Sequence, residues 1–383
     1  MLAVRMISMV IGLAGIPILL MSLGEEGFSA WAILLGGSMA FYAMELGMSQ
    51  TVIKHIAEKL NIESVLTNAV VLLVIVYAIG YALIGNIAEP LTRWLHLPET
   101  KLFTAAQLLI IVYVAVAGCS ILKVGVNTLY AAQRVDLVAI IALIQPLFAN
   151  IITWIVAYMS QRLDLVLITY WLLQSLIFAI SYIIAKRIVP WQFNRTLVNI
   201  SAMRSLLSHG LSLQLSELAH FVHYQFDKMI IAGFVGLSEV ARYEVASRAG
   251  QALRSLPLSA VGVFLPKATT EHASGGDIWN SYIELTRIAA HLAVIFLLVP
   301  LIVSPLFLFA WVGQVGYHGR WVFLFLAIGI MASVVTMPIS IFVQAMGRTV
   351  LEAKQAIDTL LFNISLSLIM VDTWGKEGAA GGA

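Results

Sequence analysis

The sequence predicts an all-α, polytopic membrane protein assembled from two copies of one helical unit. Of its 383 residues, 61% are hydrophobic and only 11% are charged, whereas a soluble globular domain carries about 25% charged residues. Apolar runs close to the roughly 20 residues that cross a bilayer as a helix recur along the whole chain. Landmark residues of the first half also return, in the same order, in the second half.

The apolar runs are continuous rather than alternating, and this favours helices over the strands of a barrel. The connecting loops are short, and none is long enough for a soluble catalytic domain. Eleven membrane spans are predicted, near residues 6–23, 29–50, 65–88, 102–122, 137–159, 165–185, 208–234, 240–265, 288–309, 321–343 and 356–371.

Basic residues orient the predicted spans. Loops on the side of the amino terminus carry most of the loop lysines and arginines, so the positive-inside rule places the amino terminus in the cytoplasm. The longest polar stretch, 186–207, mixes basic and aromatic residues. It is predicted to be a cytoplasmic amphipathic linker, either a helix lying on the membrane surface or an ordinary basic connection.

The internal repeat is read from matched landmarks. Gly24 precedes Trp31 by the same distance as Gly236 precedes Tyr243. Six predicted spans separate equivalent points, so both copies share one orientation, and substrate sites are expected between the halves. The other matched pairs are Lys54 with Lys267, Glu58 with Glu271, Arg134 with Arg348 and Asn150 with Asn363.

The repeat also predicts the domain boundaries. A first lobe, 1–185, holds helices 1–6, and a second lobe, 208–383, holds helices 7–11 with the start of helix 12. These two parallel six-helix lobes flank the linker 186–207. Because the counterpart of span 165–185 would extend beyond Ala383, the second lobe is expected to lack its twelfth helix in this sequence.

Ionisable residues inside predicted spans form the candidate site, because a charge at bilayer depth usually lines a cavity or finds a partner. Four residues of span seven recur at steps of three or four and share one helical face. Lys123 lies near the end of span four. The candidates for ion coupling are Glu217, His220, His223 and Asp227 of span seven and Glu45 of span two. The candidates for binding an anionic headgroup are Lys228, Arg242, Arg248 and Arg254.

Two interpretations of these charges are open. Histidine changes charge near neutral pH and suits proton coupling, and the planar fork of arginine suits phosphate. In the structural interpretation, Glu244 and Arg248 are a pair within one helix, and Asp227 with Lys228 marks a helix end at the membrane interface.

Several classes of function find no support in the sequence. It contains no Walker loop, no HExxH motif and no clustered metal ligands, so neither an enzyme nor a bound cofactor or metal is expected. The single cysteine, Cys119, excludes an intrachain disulfide. A net charge of +2 gives no indication of a nucleic-acid partner.

The opening LLMSLGEEGFSAWAILLGGSMAFYAMELGMSQTVIKHIAEKL resembles the start of bacterial polysaccharide flippases, the O-antigen type of the MATE-like (MOP) transporter superfamily. The shared pattern is LG, an aromatic residue, a (D/E)LG(L/M)S stretch and a basic residue before AE. The segment FDKMIIAGFVGLSEVARYEVASR is similar to the seventh and eighth helices of that family.

This resemblance implies a MATE-like fold and a function in lipopolysaccharide synthesis. It implies flipping of undecaprenyl-diphosphate-linked oligosaccharide across the bacterial inner membrane, coupled to H⁺ or Na⁺, in contact with membrane lipids, polysaccharide polymerase and glycosyltransferases. Helices one, two, seven and eight line the family's cavity, which implies cavity positions for Glu45, His220, His223, Asp227, Arg248 and Arg254. Two alternatives remain: a multidrug–cation antiporter of the same superfamily, and a non-transporting scaffold of envelope polysaccharide assembly.

Overall fold

The computed structural model describes residues 2–58, 61–221, 225–262, 264–274, 276 and 278–346, together with Lys354, Asp358, Phe362 and Ser365. The regular elements of this part of the chain are all helical, which confirms the all-α prediction. Span 356–371 and the start of helix 12 fall almost entirely outside the described residues.

The α-helices are α1 (Leu2–Ala43), α2 (Met48–Ala57), α3 (Ile62–Trp94), α4 (Ala105–Ala131), α5 (Val135–Ser160), α6 (Leu163–Ile188), α7 (Ile200–Phe221), α8 (Asp227–Phe234), α9 (Leu237–Gly262), α10 (Phe264–Ala273), α11 (Ile278–Val312), α12 (Gln314–His318) and α13 (Arg320–Ala345). Within the described residues, seven of them are long and apolar enough to cross a membrane, namely α1, α3, α4, α5, α6, α11 and α13. The chain is therefore a multi-pass membrane protein. Helix α9, which corresponds to span eight, is not among the seven because charged residues recur along it.

Helix α1 contains two predicted spans that meet at Gly24, whose φ of 72° favours glycine. Before this turn, Gly15 lies against Trp154, near the carboxyl end of α5. After it, Ser38 lines a cavity together with Val138, near the start of α5. Leu23 and Gly27, on either side of the turn, line a pocket with Gln161, just beyond the carboxyl end of α5. Both legs therefore run from that end back along α5, and the chain reverses direction at Gly24. Its two legs, with α3, α4, α5 and α6, correspond to the six spans predicted for the first half.

The chain divides into two compact units, Met1–Phe221 and Val222–Ala383. In the first unit, α4 packs against α3 and α6, and α5 packs against α1 and α6. The hydroxyl of Tyr77 on α3 donates to the carbonyl of Phe41 on α1 at 3.1 Å. The hydroxyl of Tyr113 on α4 donates to the carbonyl of Tyr77 at 2.7 Å. These buried hydrogen bonds hold the polar ends of large side chains where water is excluded.

A break between α1 and α2 lies directly against α7, within the first unit. Gly47 precedes α2 with φ 66°, and a Cβ on Gly47 would lie 2.5 Å from the carbonyl oxygen of Gly210 on α7. A Cβ on Gly210 would in turn overlap the carbonyl of Leu46. Both glycines are therefore needed for this close approach of backbones.

The connection between α6 and α7 is tied to α3 by Asn68, which is fully buried. Its Nδ2 donates to the carbonyl of Leu197 at 2.9 Å, and its Oδ1 accepts from the backbone N–H of Asn199 at 2.9 Å. Within residues 189–199, all of which the structure describes, the regular structure is a single 3₁₀ turn, Arg195–Leu197.

The second unit repeats part of the element order of the first. Gly236, with φ 131°, joins α8 to α9, as Gly24 joins the two legs of α1. Helix α11 packs against α13, as α3 packs against α4. Leu285 of α11 and Met331 of α13 lie in one buried hydrophobic cluster. These correspondences are consistent with the internal repeat.

Candidate functional site

A group of charged side chains is buried in the second unit, where α8 meets α9. Lys228 of α8 forms an ion pair with Glu244 of α9 and donates from Nζ to Oε1 of Gln225 at 2.7 Å. Arg248, one turn beyond Glu244, donates from Nε to Oε1 of Glu244 at 2.7 Å. One carboxylate therefore binds two cations.

A second carboxylate, Asp227, precedes Lys228 directly. The hydroxyl of Tyr243 donates to Oδ2 of Asp227 at 2.9 Å, and both side chains are buried. We call Asp227, Lys228, Glu244 and Arg248 the α8–α9 charge cluster. Its two acids balance its two bases, and this balance matters because an unpaired charge costs several kcal/mol in a low-dielectric interior.

The members of the charge cluster differ in accessibility. The side chains of Lys228 and Glu244 are 2% and 1% exposed, whereas that of Arg248 is 36% exposed. Of these three groups, Arg248 can therefore reach a ligand while the buried pair stays closed.

The backbone before α8 helps to place the cluster. Gln225 and Phe226 form a π-helical turn, a feature that occurs frequently at functional sites. The amide of Gln225 on this turn accepts from Lys228. The positive φ of Gly236 then lets the chain turn into α9, which packs against α8.

The other predicted headgroup residues lie elsewhere on α9. Arg242 pairs with Glu239, one turn earlier on the same helix. Arg254 is partly buried and follows Arg248 by six residues. Because a helix has 3.6 residues per turn, steps of six residues put the three arginines on different faces. They do not form one continuous basic surface.

The structure describes only part of the ionisable face that is predicted for span seven. Asp227 begins α8 and belongs to the charge cluster. Glu217 and His220 lie in α7, but their side chains and the whole of His223 fall outside the described residues. The common face of these four residues stays a prediction.

Glu45, the ion-coupling candidate of the first half, lies in a separate polar network of the first unit. Oε2 of Glu45 is 3.3 Å from Nζ of Lys123 on α4. Ser49 donates to the same carboxylate through its backbone N–H, at 2.9 Å, and through its hydroxyl. Nδ2 of Asn127 donates to Oγ of Ser49 at 3.0 Å. This network compensates the buried charge of Glu45.

Sequence reasoning missed the neutral members of both networks. Gln225, Tyr243, Ser49 and Asn127 each bond a charged residue or its partner, yet none carries a charge of its own. The sequence shows each of them only as a polar side chain inside an apolar run. That pattern is not specific for a site, because many such side chains bond the preceding turn of their own helix.

No three His, Cys, Asp or Glu side chains come together as a metal site within the part of the chain that the structure describes. The charge cluster is instead an arrangement of ion pairs and hydrogen bonds. Such an arrangement can exchange one charged partner for another, which suits the binding and release of a charged ligand.

Comparison with known proteins identifies a family. The family described as polysaccharide biosynthesis protein matches residues 1–270 of the chain. None of the curated proteins with which the sequence was compared matches it.

The solved structures with a similar fold include flippases and transporters. A lipid II flippase MurJ in an inward closed conformation has a TM-score of 0.81 at 14% identity, over 99% of this chain and 83% of that chain. An inward-facing multidrug resistance MATE transporter of the MOP superfamily has a TM-score of 0.73 at 15% identity, over 98% and 90%. A mutant of the Vibrio cholerae MATE transporter VcmN has a TM-score of 0.61 at 17% identity, over 98% and 90%. The predicted MATE-like fold is confirmed.

Proposed function

The chain belongs to the polysaccharide biosynthesis protein family, and we propose that it is the flippase that moves undecaprenyl-diphosphate-linked oligosaccharide across the bacterial cytoplasmic membrane by alternating access. Family and fold together support a membrane flippase or transporter that acts in polysaccharide synthesis. The chemistry of the charge cluster supports the finer statement about the cargo.

The position of Arg248 carries the proposal. Its guanidinium bonds the buried carboxylate of Glu244, and the Arg248 side chain is still 36% exposed. A guanidinium has five N–H donors in a planar fork that matches phosphate oxygens. Arg248 can therefore bind the diphosphate of the lipid carrier and return to Glu244 when the cargo leaves.

Ion coupling would act through the carboxylates around this arginine. A diphosphate competes with the cluster for Arg248, and a proton or Na⁺ that neutralises a carboxylate weakens its hold on the nearby cations. We assign coupling to Asp227, which adjoins Lys228 and accepts from Tyr243. The further candidates are Glu45, Glu217, His220 and His223.

The other residues predicted to bind the headgroup lie in different environments. Lys228 is enclosed by Glu244 and Gln225, so it acts on the cargo by holding the carboxylate that Arg248 leaves. Arg242 and Arg254, on other faces of α9, would approach the cargo separately.

We place the amino terminus in the cytoplasm and expect polysaccharide polymerase and glycosyltransferases as partners in the same membrane.

A multidrug–cation antiporter is the second candidate, because a transporter of the same fold is described as a multidrug resistance protein. An exposed arginine favours anionic cargo over a cationic drug, since like charges repel. A scaffold without transport activity is a third possibility, and it predicts that the charge cluster can be neutralised without consequence for envelope assembly.

Repression of this protein in its host separates the flippase from the antiporter. The flippase predicts that undecaprenyl-diphosphate-linked oligosaccharide accumulates on the cytoplasmic leaflet, while the sensitivity of cells to cationic drugs is unchanged. Drug hypersensitivity without lipid accumulation would support the antiporter. Normal levels of surface glycan and lipid-linked precursor would overturn the flippase proposal.

A further inference from the structure

A cavity of about 360 Å³ lies inside the first unit, between α1, α4, α5 and α6. Its volume falls within the roughly 300–1,000 Å³ of small-molecule sites. Four aromatic side chains line it: Tyr42 of α1 and Tyr170, Trp171 and Phe178 of α6. The rings of Tyr170 and Trp171 meet edge to face, with centroids 5.3 Å apart and an interplanar angle of 87°. We call this space the aromatic cavity.

Polar groups are set among these rings. Nε2 of Gln145 on α5 donates to Oε1 of Gln174 on α6 at 2.7 Å, and both side chains line the cavity. The bond uses one donor and one acceptor of the two amides, so the pair still presents a carbonyl oxygen and an NH₂ group. The neighbouring Lys123 is engaged by Glu45 and lies over the ring of Tyr42, 5.7 Å from its centroid.

Trp171 places an unsatisfied polar group beside the cavity. Its side chain lines the cavity and is only 4% exposed. Yet its indole N–H has no hydrogen-bond partner among the described residues. A buried donor without a partner is costly, and each such group in a native protein calls for a ligand, a water or another explanation.

We propose that the aromatic cavity binds one sugar ring of the transported glycan. A pyranose presents C–H faces that pack on aromatic rings and hydroxyl groups that bond amides and an indole N–H. A lipid chain would leave the indole N–H, and the carbonyl oxygen and NH₂ group that the amide pair still presents, without partners, and Lys123 disfavours a free cation. This proposal rests on the proposed function, because the sugar would come from the transported glycan. It adds a glycan-binding site within the first unit.

Saturation-transfer NMR on the full chain in lipid nanodiscs, which avoids sugar-based detergent, tests this site. The probes are methyl β-D-glucoside and methyl N-acetyl-β-D-glucosaminide, with inorganic diphosphate as a competitor that carries no sugar. We expect transfer to the ring protons of at least one glycoside, unaffected by diphosphate. Trp171→Phe and Gln174→Leu should each weaken binding by roughly tenfold, as for the loss of a hydrogen bond to a buried group.

The matched control is Trp31→Phe. Trp31 is also buried and its indole N–H also lacks a partner among the described residues, but it does not line the cavity. This variant should bind the glycosides as the wild type does. If Gln174→Leu fails to fold, Gln145→Leu removes the same amide pair from the other side.

Two results would overturn the sugar site: no transfer to either glycoside in the wild type, or equal transfer in the wild type and the cavity variants. Either would show that the aromatic cavity does not bind a sugar ring. Because the probes contain no lipid carrier, Arg248→Ala should leave their binding intact. Failure of glycoside binding in a protein that still flips lipid-linked glycan would therefore refute this site alone, whereas glycoside binding without flipping would refute the proposed function alone.

Discussion

Nε of Arg248 lies 2.7 Å from Oε1 of Glu244, and Lys228 pairs with the same carboxylate from the neighbouring helix. The two cations are nevertheless not equivalent. Lys228 is 2% exposed and depends on Glu244 for its burial, whereas the side chain of Arg248 is 36% exposed. Glu244 is thus the shared anchor of one structural cation and one accessible cation.

Removal of the Glu244 carboxylate should lower the free energy of unfolding more than removal of the Lys228 ammonium group. Glu244→Gln leaves the positive charges of Lys228 and Arg248 together without their carboxylate, and we expect a loss of ~3–5 kcal/mol in the free energy of unfolding. Lys228→Met leaves Glu244 bonded to Arg248, so its loss should be smaller. Thermal denaturation of the purified variants in one detergent measures the difference.

The exposed pair Glu89–Arg93, with the same four-residue spacing on α3, provides the control. Because exposed ion pairs contribute only about 0–1 kcal/mol, Glu89→Gln should leave stability almost unchanged. Equal stabilities of Glu244→Gln and Lys228→Met would contradict the shared-anchor role of Glu244.

Asp227→Asn should uncouple transport from the ion gradient. The amide keeps the size of the carboxylate but cannot take up a proton or attract Na⁺ electrostatically. We expect a lower rate in the presence of a gradient and loss of the rate difference between proteoliposomes with and without one. Asp136→Asn, which disrupts an exposed pair with Arg134, is the control and should retain the full gradient dependence. Retention of gradient dependence in Asp227→Asn would remove Asp227 from the coupling mechanism.

The contact of Gly47 with Gly210 should tolerate no side chain. Gly47→Ala combines a positive φ with a Cβ placed 2.5 Å from backbone, and we expect a loss of at least ~2 kcal/mol of stability. Gly85 of α3 has open space at its Cβ position. Gly85→Ala should therefore be neutral or stabilising by up to ~1 kcal/mol. Similar melting temperatures for the two variants would show that α7 does not need this close approach.

Asn68→Leu should release the connection between α6 and α7. The change leaves the carbonyl of Leu197 and the N–H of Asn199 without their partner on α3, at a cost of ~1–3 kcal/mol. Hydrogen exchange measured by mass spectrometry should become faster in residues 194–199. Asn86→Leu, which removes a bond within one turn of the same helix, should leave that exchange unchanged. Unchanged exchange of residues 194–199 in Asn68→Leu would show that Asn68 does not hold this connection in place.

The sequence predicted the features that depend on local chemistry. Apolar runs of membrane length located the helices, and the repeat singled out Gly24 and Gly236, which both have positive φ. The spacing of Glu244 and Arg248 allowed a pair on one helix, and the structure contains that bond. Each of these inferences needed only neighbours along the chain.

Features that depend on how helices meet could not be predicted. Lys228 and Glu244 lie on different helices, and their contact depends on the turns at Gln225 and Gly236. The aromatic cavity likewise requires four helices to converge, and periodicity along one helix contains no information about the space between helices. For the same reason, spacing predicts that Glu217 and His220 share one helical face, but it does not predict what that face contacts.

Translocation by purified protein in sealed proteoliposomes tests most directly whether Arg248 binds the diphosphate of a flipped lipid. The wild type should move polyprenyl-diphosphate-linked oligosaccharide between leaflets, and Arg248→Ala should slow this by roughly tenfold or more, because a charge-assisted hydrogen bond is lost. Arg248→Lys should retain part of the rate, and Arg93→Ala, at the exposed pair of equal spacing, should match the wild type. Translocation by Arg248→Ala at the wild-type rate, with equal amounts of folded protein, would contradict the proposed role of Arg248.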